Sequence, residues 1–590
     1  MAGHLVMLTM LAAPIHYADI TFATNCVVLS KLMEPRTVSG SFYNAFFAFR
    51  SGSPMQRPPL LAPLSGLFPA LTRRSLRIWR QYGVFWLGAI AVGLAAVLYA
   101  RLIDWGYDTF RTMRAHAAWL PLLLTPAIAA ASAWLTRRFF RGAEGSGIPQ
   151  VIATLHASPA SFGARLLTLR ILFGKVLISL MGILGGFTIG REGPTVQVGA
   201  ALMFNLRRFY PRSNALIERQ LVLAGAAAGL SAAFNTPLAG IVFAIEELTR
   251  SFSARASGVL ITAIILAGVV ALGLNGNYTY FGTIDAGQHF PKLLAVAVLV
   301  TAIVTGIAGG LFSWLLLNTG RWLPARMLGL YRERPIAFAA LCGFVIAVVG
   351  IVSGGTTFGS GYAEARGLLD GHEQLSFLYP FLKMVSMVAS YLTGIPGGIF
   401  APSLSIGAGF GNLLHVVFGD MSLPMLIALA MVGYLAAVTQ SPITSFVIVM
   451  EMINGHALVI SLMATALVSS RVARFFAPPL YETLAQRYLA PPPTAAPTAA
   501  PHAADAAQSA GAPGADAAAG AGTATGITEP QDAATAPADP LDTLREEGAD
   551  TSDVPAPADG AAPAAATRDR DGPSAAGANG PAQTGPRDPQ

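Results

Sequence analysis

The sequence predicts an all-α polytopic membrane protein made of two inverted repeats, with short helices broken around the bilayer midplane. Three observations carry that prediction. The 590-residue chain is 53% apolar and only 12% charged, with a mean hydropathy of +0.55; ordinary globular chains carry about twice that charge. Its apolar runs are cut by glycine and proline. Its motifs recur in the same order at nearly one spacing.

The formal charge of +7 conceals a split. Residues 491–590 hold 14 Asp/Glu and 4 Arg, a net −10, which leaves +17 on residues 1–490. The Ala/Pro/Gly-rich acidic tail cannot bury a core and is expected to be disordered. Arg73, Arg74, Arg77 and Arg80 precede the first convincing span, and Arg471, Arg474 and Arg487 follow the last. By the positive-inside rule both termini face the cytoplasm. The expected organisation is a partly disordered N-terminal extension over 1–72, a transmembrane domain over 73–488 with halves at about 84–274 and 293–485, and a disordered tail over 489–590.

Only Cys26 and Cys342 are present, too few for a disulfide framework or a thiolate metal site. The absence of HExxH, Walker A and clustered histidines argues against a metalloprotease or an ATP-driven pump. No metal and no cofactor is called for. Residues 1–54 include Asp19, Lys31, Glu34 and Arg36 and lack a basic n-region and cleavage site, so they do not read as a secretory signal. Met33 and Met55 are alternative starts.

Apolar segments run over 84–102, 118–135, 166–189, 221–249, 257–274, 293–318, 336–353, 377–393, 397–418, 424–440, 442–454 and 457–476. Several fall short of the ~20 residues that a perpendicular helix needs to span. Short or broken helices are tolerated only where their ends line a cavity inside the protein. Gly145-Ser146-Gly147 recurs as Gly359-Ser360-Gly361, an offset of 214. Gly190, Pro194, Gly199 and Ala200 recur as Gly398, Pro402, Gly407 and Ala408, an offset of 208, and Pro237 to Glu246 recurs as Pro442 to Glu451, an offset of 205. Three pairs in register point to duplication. If each half crosses an odd number of times, the halves are inverted and a substrate site lies between them.

Each motif has a bland reading. Gly145-Ser146-Gly147-Ile148-Pro149 places Pro in the first turn of a helix, and Ser146 there is most often a cap. A capping hydroxyl can also donate to an anion. Gly190-Arg191-Glu192-Gly193-Pro194 sets a carboxylate at membrane depth beside a helix break, where a fresh N-terminus offers free N–H groups. Its bland reading is a Glu192–Arg191 pair, but sequence neighbours often point apart, and function is favoured. Glu246 and Glu247 precede Arg250; they read equally as an interfacial acidic pair bridged to that arginine and as a proton entry near the inner mouth. Glu451, the repeat counterpart of Glu246, reads as structural. Gly398-Ile399-Phe400-Ala401-Pro402 offers no ion-binding side chain, so it is either a packing site or an anion site built from the Ile399 and Phe400 amides. Tyr481 belongs to an interfacial aromatic belt or donates its phenol to an anion.

Taken together these strings resemble the CLC family of chloride channels and chloride/proton exchangers. The resemblance rests on Gly145–Pro149, on Gly190–Pro194 through Thr195-Val196-Gln197, on Ala233-Phe234-Asn235 through Glu247, on Gly398–Pro402 and on Pro479-Leu480-Tyr481, in order across about 84–485. It implies a CLC-type fold, a homodimer with one pore per subunit, and a midplane chloride site formed by the Ser146 and Tyr481 hydroxyls and the Ile399 and Phe400 amides. Glu192 matches the gating glutamate, and Glu247 matches the internal proton-transfer glutamate of exchangers. Ser146 stands where nitrate-selecting relatives carry proline. Gln150 departs from the glutamate of many relatives, and the soluble CBS pair of eukaryotic members is absent.

The expected function is proton-coupled chloride/proton antiport across the inner (plasma) membrane, with chloride, protons and lipid as partners and no nucleic acid. The alternative is a passive voltage- or pH-gated chloride channel on the same fold. An intramembrane enzyme using Glu192 as acid/base lacks a nucleophile or metal set, and a scaffold does not explain buried acids at repeated helix breaks.

Overall fold

The computed structural model describes residues 67–489 apart from 158–162, 164, 211–213, 251–257, 277–280, 283–292 and 372–374, with side chains described from residue 82. Cys26, the alternative starts, most of the N-terminal extension and nearly all of the tail lie outside these residues, and the side chains of Arg73, Arg74, Arg77 and Arg80 are likewise not among those described.

The first half contains α1 (Leu67–His116), α2 (Pro121–Phe139), α3 (Ile148–His156), α4 (Leu169–Leu184), α5 (Glu192–Asn205), α6 (Ala215–Phe234), α7 (Pro237–Phe243) and α8 (Gly258–Asn275). The second contains α9 (Leu294–Leu317), α10 (Ala325–Glu333), α11 (Pro335–Val352), α12 (Tyr362–Leu369), α13 (Tyr379–Leu392), α14 (Phe400–His415), α15 (Leu423–Thr439), α16 (Pro442–Ile453) and α17 (Val459–Ala473), before a terminal α18 (Leu480–Leu489). The regular structure among the described residues is helical, with no strand longer than one bridge. Among the described residues, six helices are long and apolar enough to cross a membrane. Others, such as the 9-residue α3 and the 7-residue α7, are far too short, as glycine and proline breaks require.

Helix limits differ from the apolar runs where a turn or a charge intervenes. The run 221–249 divides at Asn235, which takes a left-handed φ of 57° to end α6 before Pro237 starts α7. The run 166–189 stops as helix at Leu184, and the run from 397 becomes helix only at Phe400. Conversely, α1 continues past residue 102 to His116. Asp104 stays exposed on it while Ile103 and Phe110 are buried, so the helix carries its charges outward without losing its core face.

Duplication is visible in the backbone itself. Among the described residues the four non-glycine residues with left-handed φ form two repeat pairs: Asn235 (57°) with Gln440 (58°), and Arg250 (48°) with Asn454 (49°). Close packing repeats too. A Cβ on Gly407 would stand 2.6 Å from the Met431 backbone, and one on Gly199 would strike the Gly225 carbonyl, so α14 meets α15 as α5 meets α6. Small residues permit such approach where apolar side chains alone give no preference over lipid. The pair α2 and α11 pack on each other, as do α7 and α16, which places counterparts face to face across the repeat interface. α15 is buried from Met425 to Thr439, while Val269, Leu299, Ile307 and Val345 are exposed apolar side chains on the outer helices.

Candidate functional site

The site forms where two helix breaks touch. Gly190 N–H donates to the Gly398 carbonyl (2.8 Å) and Gly398 N–H donates to the Gly190 carbonyl (2.7 Å), an antiparallel bridge between repeat counterparts. From this bridge α5 and α14 each begin two residues later, at Glu192 and Phe400. A third N-terminus, that of α3, starts after Gly147 (φ 97°), with Pro149 in its first turn. A Cβ on Gly193 would lie 3.2 Å from Gly398 Cα and 2.9 Å from the Ser146 carbonyl, so the three breaks meet around glycine alone.

Ser146 does not cap α3. Its hydroxyl is buried and makes no hydrogen bond among the described residues. Tyr481, at the start of α18, is equally buried rather than placed in an interfacial belt, and its hydroxyl also has no hydrogen-bond partner among them. The Ser146 hydroxyl lies against Gly193, which adjoins Gly398 just ahead of α14, so both hydroxyls sit about the start of that helix. The Tyr481 ring stacks on Phe400 (centroids 6.0 Å, interplanar 18°), and Phe234 and Phe243 meet Phe400 edge-on. A buried hydroxyl without a partner costs about 1–3 kcal/mol, so two convergent ones in an aromatic surround favour an acceptor between them. Ile399 and Phe400 are buried at the cap and first position of α14, where backbone N–H groups have no intrahelical acceptor.

Glu192 is wholly buried. Its Oε1 accepts from the Tyr362 hydroxyl (2.8 Å), while its Oε2 folds over Gly190 and makes no hydrogen bond among the described residues. Ala401 and Pro402 of α14 flank the same spot. Arg191 points away from this carboxylate and donates to Asp104 Oδ1 (2.7 Å) and the Ala100 carbonyl (3.1 Å). The neighbour-pair reading of Glu192 is therefore replaced by an arginine held on α1.

Glu247 sits in a π-helical turn (Ala244–Thr249) that follows α7. It is buried, and its Oε2 accepts from the Ser441 hydroxyl. Arg250 pairs with Glu482 on α18. Glu246 instead accepts from the N–H groups of Ile443 (3.0 Å) and Thr444 (2.6 Å), and Glu451 accepts from those of Leu238 (3.2 Å) and Ala239 (2.8 Å). The acidic pair thus splits: one member caps a helix, and the other is buried against a serine. Gln150 donates to the Glu144 carbonyl (2.6 Å), a local tie within the loop.

Three residues at the site escaped the sequence reading. Tyr362 is one. The others are Lys175 and Lys383, themselves repeat counterparts at the 208 offset. Buried Lys175 donates to the carbonyls of Ala143 (2.8 Å) and Gly145 (2.9 Å). Buried Lys383 donates to those of Thr357 (3.1 Å), Phe358 (3.2 Å) and Gly359 (3.2 Å). Each ammonium gathers the carbonyls ahead of one Gly-Ser-Gly turn and so holds Ser146 or Tyr362 in place. A single lysine inside each of two apolar runs, at a spacing already known, was the available signal. Among the described residues no cluster of acidic, histidine and cysteine side chains has the makings of a metal site.

Fold and site together define an inverted-repeat membrane transport protein. The chain belongs to the voltage gated chloride channel family, whose model matches residues 127–474. It is 32% identical over 436 residues to the H(+)/Cl(-) exchange transporter ClcA of Cronobacter sakazakii, across 68% of this chain and 89% of that protein. It is 30% identical over 429 residues to the ClcA of Klebsiella pneumoniae subsp. pneumoniae, across 68% and 88%. The crystal structure of a slow cyanobacterial Cl-/H+ antiporter has the same fold (TM-score 0.60, 24% identity, 70% of this chain and 98% of that one). So does a CLC-type fluoride/proton antiporter (TM-score 0.59, 19% identity, 68% and 96%).

Proposed function

We propose that this protein exchanges chloride for protons across the membrane, with Glu192 as the gate and Glu247 as the internal proton acceptor. The observation that carries the reading is the buried Glu192 carboxylate at the junction where the α14 N-terminus meets two buried hydroxyls that make no hydrogen bond among the described residues. A carboxylate and chloride seek the same donors, so each excludes the other, and protonating Glu192 removes the competitor. Proton uptake and anion loading are thereby linked. Ser146, Tyr481 and the Ile399 and Phe400 amides hold the anion with neutral donors, which bind without trapping it. Gly145, Gly147, Pro149, Gly190, Gly193, Pro194, Gly398 and Pro402 supply the breaks, and Arg191 braces the outer side. The relatives named as exchange transporters support the same reading.

We further assign the protein to the inner membrane with both termini cytoplasmic, as the flanking arginines favour, and to a homodimer, as the family resemblance implies. It needs no cofactor and performs no covalent chemistry in this reading. The test uses purified protein in liposomes with a chloride gradient, no proton gradient, and the voltage clamped to zero by potassium and valinomycin. External pH shifting as protons move opposite to chloride supports exchange. Chloride flux without proton movement makes the protein a passive channel.

A further inference from the structure

Among the described residues the Tyr362 hydroxyl is the one side-chain donor to Glu192, and nothing in the local sequence connects them, since they stand 170 residues apart. Its placement is built. Gly361 adopts a φ of 87° and starts α12, with Lys383 drawing in the carbonyls just before it. The ring rests against Phe281 (centroids 5.7 Å) and lies under the Arg191 guanidinium at 6.0 Å. Arg191 is fixed in turn by Asp104, whose side chain is 65% exposed. A chain of contacts thus runs from the surface through Asp104, Arg191 and Tyr362 to the buried carboxylate. Tyr362 itself is half-buried, at the edge of the site rather than within its core.

The repeat makes the asymmetry plain. At the 214 offset Tyr362 corresponds to Ile148, a buried apolar residue at the start of α3. The first half uses its Gly-Ser-Gly turn to present the Ser146 hydroxyl. The second uses the equivalent turn to present a phenol to the gate.

We propose that Tyr362 is a positioning residue that latches the ionised Glu192 in its inward place and so slows entry of chloride. This rests on the reading of Glu192 as a gate. A hydrogen bond to an ionised acceptor is roughly twice as strong as one between neutral groups. The latch therefore holds the carboxylate and releases the carboxylic acid, which ties opening to protonation. Besides Tyr362, the charged and titratable groups around Glu192 are Tyr99 from α1, Tyr481 from α18 and, at its own cap, Arg191, whose guanidinium turns away to Asp104. Only Tyr362 donates a side-chain hydrogen bond to it among the contacts described.

The experiment compares the full-length protein with Tyr362→Phe in liposomes, measuring chloride efflux across external pH, and repeats both in the Glu192→Gln background. Phenylalanine keeps the ring between Phe281 and Arg191, and elution as a single species with an unchanged melting temperature verifies the fold. The expected result is about a five- to tenfold rise in chloride flux at alkaline external pH, convergence with the parent at acidic pH, and less than a twofold effect when Glu192 is already Gln. Chloride titration by calorimetry at alkaline pH should show tighter binding in Tyr362→Phe, since the competing carboxylate is held less firmly. That binding measurement stands even where transport is uncoupled or absent, so failure of the exchange reading is distinguishable from failure of the latch. A flux change of equal size at every pH, an equal change in the Glu192→Gln background, or unaltered chloride binding overturns the proposal.

Discussion

Glu246 and Glu451 cap each other's helices: each carboxylate accepts from the first backbone N–H groups of the helix that carries or leads to the other. The arrangement follows from an approximate two-fold relation between α7 and α16, and it places a negative charge at each positive helix end. It also separates Glu246 from its neighbour. Glu246 is occupied by two N–H groups, whereas one oxygen of Glu247 makes no hydrogen bond among the described residues.

Replacing Glu451 by Ala should therefore lower stability by about 1–2 kcal/mol, the usual cost of a lost N-terminal cap. A thermal melt of the purified variant would show it, and the proton-to-chloride ratio of the surviving protein should stay at the parent value. A changed ratio would give Glu451 a part in transport.

Glu192→Gln should retain chloride flux and lose proton coupling, because the amide can still accept from Tyr362 but cannot take up a proton. Parallel recordings of chloride efflux and external pH check this. Continued uphill proton movement in the variant would remove Glu192 from the pathway.

Glu247→Gln should spare chloride flux while reducing proton movement to background. Ser441 can still donate to the amide oxygen, so the fold around the π turn is preserved and the loss reports proton transfer alone. If protons still cross at the parent rate, the buried acid is a packing feature.

Tyr481→Phe deletes one of the two site hydroxyls that make no hydrogen bond among the described residues and leaves the stack on Phe400 in place. A hydrogen bond to a charged group contributes about 1.5–3 kcal/mol, so chloride should bind about tenfold more weakly or worse in a calorimetric titration. Unchanged affinity would exclude this hydroxyl from the anion site.

Lys175→Met leaves buried carbonyls before Ser146 without their donor and should cost about 2–3 kcal/mol. Chloride binding should weaken with it, since Ser146 loses its support. Lys383→Met should instead disturb Tyr362, raising flux at alkaline pH in the manner of Tyr362→Phe while leaving Ser146 in place.

Much of the site was legible because glycine and proline act locally. Gly190, Gly398 and Pro149 break helices wherever they fall, and a repeated order of breaks locates the repeat interface without any knowledge of the fold. Lys175 and Lys383 were as readable by the same rule, since their spacing matches the Gly190–Gly398 offset, but a lone lysine in an apolar run looks like an interface residue until its carbonyl partners are seen.

The sequence by itself determined the all-helical membrane class and the duplication, and it singled out Glu192 as a costly acid beside a helix break, while Ser146, Glu247 and Tyr481 became candidates only through the family resemblance. The class, the duplication and the Glu192 signal follow from composition, backbone propensity and the cost of a charge in lipid, which are properties of short stretches of chain. Only the tertiary structure decided the partners. Arg191 turns to Asp104, Glu192 takes Tyr362, Glu247 takes Ser441, and Arg250 takes Glu482. Each pair joins residues 87 to 232 positions apart. Such pairings depend on which helix ends the packed repeats bring together, and no local propensity encodes that.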